Sequence, residues 1–227
     1  MSSFSPESKV GEIAVEQPSA TRSFYRFGID FCCGGGKSLE SVCEKKGIDV
    51  AEVLLDIKLQ AAGNGAENPN DWKLASPVAL ISHIITTYHE PLRVELPRLK
   101  SMLDKVQKVH GHVDPERFSE LQAVYTKLGE ELMEHMMKEE QVLFPAIMQG
   151  NRSEASKHIG ALEQDHEEAG EALRSLNRLT DSYVAPEYAC NTWRALWSGL
   201  EDLEKAMHQH VQLENNILFP NALTSVN

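Results

Sequence analysis

The sequence lacks any apolar run near the length of a membrane span, which needs about 20 residues. Basic charge is scarce: 22 Lys and Arg stand against 34 Asp and Glu, a formal net charge of −12. Phosphate recognition needs clustered cations, so this balance excludes nucleic acid as the main partner and disfavours an anionic membrane surface. Cysteine is also scarce. Cys32, Cys33, Cys43 and Cys190 are too few in 227 residues for a disulfide framework, and an adjacent pair suits a reducing compartment. The opening MSSFSPESKV has no basic stretch followed by an apolar one, so no secretory signal is expected. A cytoplasmic protein is predicted. Hydrophobic residues at 41% and charged residues at 25% suffice for a buried core.

Strand patterns are missing too; the periodicity is helical. Residues to about Ala20 read as a loose polar tail. Ser38 caps a helix through Cys43 that Gly47 closes, and Asp49 caps another to Gln60. Residues 62–71, AGNGAENPND, read as a linker. Four long helical patterns follow. They run from Ser76-Pro77 to His110 (with Pro91 and Pro97 expected to kink or break it), from Asp114-Pro115 to Met148, from Ser153 to Ser182, and from Cys190 to Leu223. Short connections imply antiparallel neighbours. The expected fold is all-α: a small helical N-terminal domain over residues 1–65 and an up-down-up-down four-helix bundle over 75–225.

One phrase occurs twice. Residues 135–145 read HMMKEEQVLFP and residues 210–220 read HVQLENNILFP. Each His-x-x-x-Glu continues an apolar seam. The first seam is Phe118, Leu121, Tyr125, Leu128, Leu132, His135, Glu139. The second is Trp193, Leu196, Leu200, Leu203, Met207, His210, Glu214. The third helix places His166 on the seam Ile159, Leu162, His166, Ala169, Leu173, and the first has His83 in VALISHII, with His89 competing from the same helix. Buried carboxylates are costly without compensating charge, and these seams supply no Lys or Arg at that level. A bound cation would. Four imidazoles and two carboxylates overfill one tetrahedral zinc site and suit two iron or manganese ions bridged by carboxylate. The predicted ligands are His83, His135, Glu139, His166, His210 and Glu214. Glu131 and Asp165 are read either as lying beside the site or on a path to it or, equally, as belonging to a solvated face, while His110, His112, His158 and His208 are placed on the surface.

GGGKS at 34–38 is not a phosphate loop: the pattern needs Gly where the chain has Phe31, and no strand precedes it. Cys32 and Cys33 lie in a glycine-flanked loop before a helix. Proximity to a helix N-terminus is expected to favour thiolate and to make the pair a soft-metal, nitric oxide or redox relay. Cys43 is expected in the core.

DFCCGGGKSLESVC resembles the short N-terminal domain of the repair-of-iron-centres family, the iron–sulfur cluster repair di-iron proteins. The repeated His/Glu phrase resembles their hemerythrin-like domain. The resemblance implies two non-haem iron ions on the six ligands above, oxo- or carboxylate-bridged, and restoration of clusters damaged by nitric oxide or oxidants. It implies damaged iron–sulfur proteins as partners and nitric oxide or dioxygen as small ligands, with a homodimer as the assembly considered. Two routes are open: iron donation, or nitric oxide binding and reduction with Cys32 and Cys33 as a thiol relay. Oxygen-carrying hemerythrins have a further histidine where this chain has Gly170, and His-x-x-x-x-Asp where it has His210-x-x-x-Glu214, so oxygen carriage is not expected. The rival readings are a hemerythrin-like gas sensor or store and a di-iron oxygenase or peroxidase.

Overall fold

The computed structural model describes residues 4–63 and 72–224. Among them there is no strand, only an isolated bridge between Lys9 and Ser38. No helix is long and apolar enough to cross a membrane. Contacts divide the chain into two compact units, Met1–Ile81 with His208–Asn227, and Ser82–Met207.

The first unit contains helices α1 (Val10–Glu16), α2 (Ala20–Arg26), α3 (Leu39–Lys46) and α4 (Val50–Gly63). The stretch expected to be a loose tail is helical at Val10–Glu16: Val10, Ile13 and Ala14, spaced three and four apart in α1, are all buried. They join Phe24, Ile29, Phe31, Leu39, Cys43, Val53 and Ile57 in one apolar core. Ser38 caps α3 by accepting from the Ser41 N–H, and Gly47 ends it in the left-handed conformation. Residues 64–71 of the expected linker lie outside the described residues.

The glycine run is explained by close approach. The Gly11 N–H donates to the Gly35 carbonyl at 2.9 Å. A Cβ on Gly35 would meet the Phe31 carbonyl at 2.9 Å and the Gly11 Cα at 3.0 Å. The run lets backbone pack on backbone; it does not cradle phosphate.

The second unit is built on α6 (Glu90–His110), α7 (Pro115–Lys138), α9 (Arg152–Leu179) and α10 (Asn191–Leu213) as far as Met207. The short helix α8 (Phe144–Met148) continues α7; α5 (Pro77–Ile84) precedes α6 in the chain and α11 (Phe219–Thr224) follows α10, the latter within the first unit. Asp114 caps α7 as expected, accepting from the Arg117 N–H with Pro115 at the first helical position, whereas Asn151, not Ser153, caps α9 by accepting from the Glu154 N–H. The Tyr125 hydroxyl donates to the Leu96 carbonyl at 2.8 Å, joining α7 to α6. A Cβ on Gly199 would lie 2.5 Å from Leu99 Cδ2, so glycine sets the close approach of α10 to α6. Phe118, Trp193 and Trp197 close one end, and His110, expected on the surface, packs on Trp193 at 5.0 Å between centroids.

Three long helices contain one π-helical turn each, at Ile85–His89, Glu139–Leu143 and Glu214–Leu218. In each, the closing N–H bonds five residues back: Glu90 to Ile85, Phe144 to Glu139, Phe219 to Glu214. Each turn ends two residues before a proline: Pro91, Pro145 and Pro220. A proline lacks the N–H for an i→i−4 bond, and its ring clashes with that carbonyl. Widening the preceding turn relieves the clash, and the helical path continues. Pro91 and Pro97, expected to kink or break the first helix, interrupt neither α6 nor the path into it.

Candidate metal centre

Each π-turn carries an ionisable residue into the interior. Glu139 and Glu214 begin two of them, and His89 ends the third. Glu139, Glu214 and His89 have no exposed surface, and His135, His166 and His210 have at most 2%. π-turns inserted in α-helices recur at functional sites because the extra residue re-aims one side chain without ending the helix.

Donor atoms from these six residues form two groups. His89, Glu139, His210 and Glu214 make one, and His135, Glu139, His166 and Glu214 make the other, with the atoms of each group within 4.8 Å of one another. Both carboxylates belong to both groups. His89 Nε2 and His135 Nε2 each lie 3.4 Å from Glu139 Oε2. His210 Nε2 lies 3.0 Å from Glu214 Oε1, and His166 Nε2 lies 2.9 Å from His135 Nε2. The donor chemistry fits divalent metal. Imidazole nitrogens and carboxylate oxygens suit iron, zinc or manganese, and the two buried carboxylates are common to both donor groups. Two nitrogens at about 2.1 Å from one ion and at right angles would be about 3.0 Å apart, close to the His135–His166 spacing.

The structure brings together five of the six expected ligands and replaces the sixth. His83 is outside the group: it is half-buried, with Nδ1 3.0 Å from Thr87 Oγ1 and its ring edge-on to Tyr88. Burial lowers its pKa. His89 takes the place. The buried seam of this helix runs Leu80, Ile84, His89, Leu92, Leu96, Leu99, Leu103. The step from Ile84 to His89 is five residues, the π-turn's extra residue. An unbroken α period cannot show it.

The imidazoles are oriented from outside. His89 Nδ1 faces Glu140 Oε1 at 2.7 Å, and Arg93 donates to the same oxygen at 2.7 Å. Burial pushes the Glu140 pKa up, but the Arg93 and His89 hydrogen bonds outweigh it and hold it below the usual value. His135 Nδ1 faces Asp165 Oδ2 at 3.3 Å, which Lys138 also meets at 3.3 Å. In both pairs a carboxylate holds Nδ1 and leaves Nε2 toward the donor groups, the arrangement that orients metal-bound histidines. The sequence leaves Asp165 open between this place and a solvated face, and it gives no signal for Glu140, whose partner His89 is 51 residues away. A cleft of about 160 Å³ reaches His135 and His166, lined also by Glu131, Glu134, Lys138, Asp165 and Glu168.

Cys32 and Cys33 are not joined: their sulfurs are 3.7 Å apart. Cys32 is buried and its thiol is pushed well up by the hydrogen bond with Cys33, by burial and by the Asp30 carboxylate. The expected easy thiolate is therefore not found at Cys32. Asp30 Oδ1 accepts from the N–H groups of Cys32 and Cys33 at 3.1 and 3.0 Å. Burial pushes Asp30 up, but hydrogen bonds from Gly34, Cys32 and Cys33 prevail and hold it low. The loop is pinned by the last helix: Asn215 donates to the Cys32 carbonyl at 3.4 Å, and Asn216 to the Phe31 carbonyl at 3.3 Å. His208, expected on the surface, packs edge-on against Phe31. Cys190 is exposed, with its sulfur 3.3 Å from His110 Nε2.

A helical bundle holding paired imidazoles around shared carboxylates defines a hemerythrin-like cation-binding protein. Residues 80–222 match the hemerythrin HHE cation binding domain, and residues 6–61 match a domain of unknown function, DUF542. The chain is 40% identical over 220 residues to a probable iron-sulfur cluster repair protein of Haemophilus influenzae, covering 96% of this chain and 97% of the other. It is 40% identical over 214 residues to the iron-sulfur cluster repair protein YtfE of Yersinia pseudotuberculosis, covering 94% and 96%, and 40% identical over 217 residues to that of Escherichia coli O81, with the same coverage. The chain belongs to the hemerythrin HHE family and, within it, to the group that contains these relatives.

Proposed function

We propose that this protein repairs damaged iron–sulfur clusters, with residues 75–225 as the iron-holding module and residues 1–65 as a thiol-bearing one. The observation that carries the iron reading is the sharing of Glu139 and Glu214 by two donor groups. His89, His135, His166 and His210 would supply nitrogen, and the two glutamates would bridge. Bound there, two non-haem iron ions would supply labile metal for a damaged cluster and open positions for nitric oxide or dioxygen. Its four-residue steps put each His and Glu of a repeat on one face, and the carboxylates of Glu140 and Asp165 fix the tilt of two rings.

Of the two routes, the cleft favours iron donation. Glu131, Glu134, Asp165 and Glu168 line it, with Lys138 as a single cation among the lining residues. A carboxylate-rich passage attracts a metal cation and does nothing for a neutral gas. The cytoplasm is the compartment where cluster-bearing clients and reduced thiols coexist.

The test is recovery of a nitrosylated or oxidised iron–sulfur enzyme mixed anaerobically with iron-loaded protein. Recovery that consumes the protein's iron, and that is lost in His135→Ala and Glu214→Ala, supports donation. Reversible gas binding without recovery would support a sensor, and dioxygen-dependent turnover of a small substrate would support an oxygenase. Cys32→Ser combined with Cys33→Ser should leave the bundle's iron in place and impair repair.

A further inference from the structure

We infer that Asp30, Cys32 and Cys33 form a second, separate metal site, for one borderline or soft cation such as Zn²⁺ or Fe²⁺. The three donor atoms lie within 4.8 Å of one another. Their spacings match a coordination polyhedron. An ion with two thiolates at about 2.3 Å in tetrahedral geometry holds its sulfurs about 3.8 Å apart, and a carboxylate oxygen at about 2.0 Å would lie about 3.5 Å from each. The observed Cys32–Cys33 distance is 3.7 Å and the Cys32 Sγ to Asp30 Oδ1 distance is 3.3 Å. A disulfide would need about 2.05 Å, so the sulfurs are spaced for a shared ion and not for each other.

The loop is built to keep that spacing. Two backbone N–H groups clamp Asp30 Oδ1, and Asn215 and Asn216 hold the carbonyls on either side of the Phe31–Cys32 bond. Asp30 Oδ1, 3.3 Å from Cys32 Sγ, is the carboxylate atom beside the sulfurs. The Cys32 sulfur lies 3.3 Å from Asp30 Oδ1 and 3.7 Å from the Cys33 sulfur, the three atoms that would surround a cation. On binding, the two thiols lose two protons as two metal–sulfur bonds form, and Asp30 enters already ionised. A thiol held protonated by a neighbouring carboxylate is a poor nucleophile but a ready ligand once a cation cancels that charge.

Three protein donors leave a fourth position for water or an incoming ligand. Asp30 and Cys33 are partly exposed. Both features suit an exchangeable site rather than a structural one. The unit does not need the ion to fold, since its eleven-residue apolar core is closed by Val10, Phe24, Leu39 and their neighbours. This inference stands whether or not the bundle donates iron.

The bundle offers only nitrogen and oxygen, so sulfur ligation has its own signature. The full-length protein, its thiols reduced and its bundle loaded with iron, is titrated with Co²⁺. Sulfur-to-cobalt charge-transfer absorption should rise to one equivalent per chain, with two protons released. Cys32→Ser with Cys33→Ser should abolish it. Cys33→Ser, at a partly exposed position, should weaken binding roughly tenfold or more, as should Asp30→Asn with the band retained. His135→Ala should leave it intact. Absence of the band in the unmodified protein, its survival in the double serine variant, or unchanged affinity in Asp30→Asn would overturn the proposal.

Discussion

Replacing His89 by alanine should remove iron, and replacing His83 should not. His89 is fully buried, its ring stacked on Phe144 at 5.7 Å between centroids and its Nδ1 held by Glu140. Truncation deletes one donor of the group it forms with Glu139, His210 and Glu214. Altering a residue that merely orients a ligand costs about 10–100-fold in metal affinity, so losing a ligand should cost at least about 100-fold, or about 2.7 kcal/mol. The fold also loses a ring that packs on Phe144 and bonds Glu140, a cost of about 1–3 kcal/mol. His83 is half-buried and its hydrogen bond to Thr87 is on the solvent side. Its removal should change stability by about 0.5 kcal/mol or less. The assay is iron per chain after anaerobic reconstitution and desalting, with the thermal midpoint of the metal-free protein as a folding control. Full iron in His89→Ala with loss in His83→Ala would refute the register set by the π-turn.

Other consequences are separable. Glu140→Gln and Asp165→Asn should each weaken iron binding about 10–100-fold while leaving a folded bundle, measured by chelator competition. Pro145→Ala should restore an N–H for the Gln141 carbonyl and draw the Glu139–Leu143 turn toward α-helix. The metal-free protein should then become more stable, by up to about 3 kcal/mol, while iron affinity falls; a denaturant titration beside an iron count checks both. Asp30 is held below its usual pKa in the fold, so its contribution is present above the unfolded value near 4 and lost as pH falls through the lower folded one. Asp30→Asn should cost about 1–2 kcal/mol at neutral pH in metal-free protein, and the difference should shrink on acidification. A pH-independent difference would mean the loop relies on packing alone.

Much of this was legible in the chain. The seams through Phe118–Glu139 and Trp193–Glu214 named two helices, their buried faces and four of the clustered residues, because each seam keeps its three-four step up to the glutamate. His166 followed from the same rule. The first helix failed that rule because its π-turn inserts a residue between Ile84 and His89, and period counting has no term for it. The marker was present in hindsight: Pro91, Pro145 and Pro220 each stand two residues past such a turn. α1 was missed because seven residues carry too little periodicity to stand out. Glu140 facing His89 and Asp165 facing His135 are contacts 51 and 30 residues apart in sequence, which only packing reveals. The raised Cys32 thiol likewise depends on the hydrogen bond with Cys33, on burial and on Asp30, not on position before a helix.

Iron stoichiometry of the anaerobically purified, full-length protein tests the central claim most directly, read together with the magnetic coupling of the metal. Two irons per chain that are coupled through their bridges are predicted, with the coupling lost in Glu139→Ala and in Glu214→Ala. One zinc per chain, or irons that behave as isolated ions, would contradict the sharing of two glutamates on which the account rests.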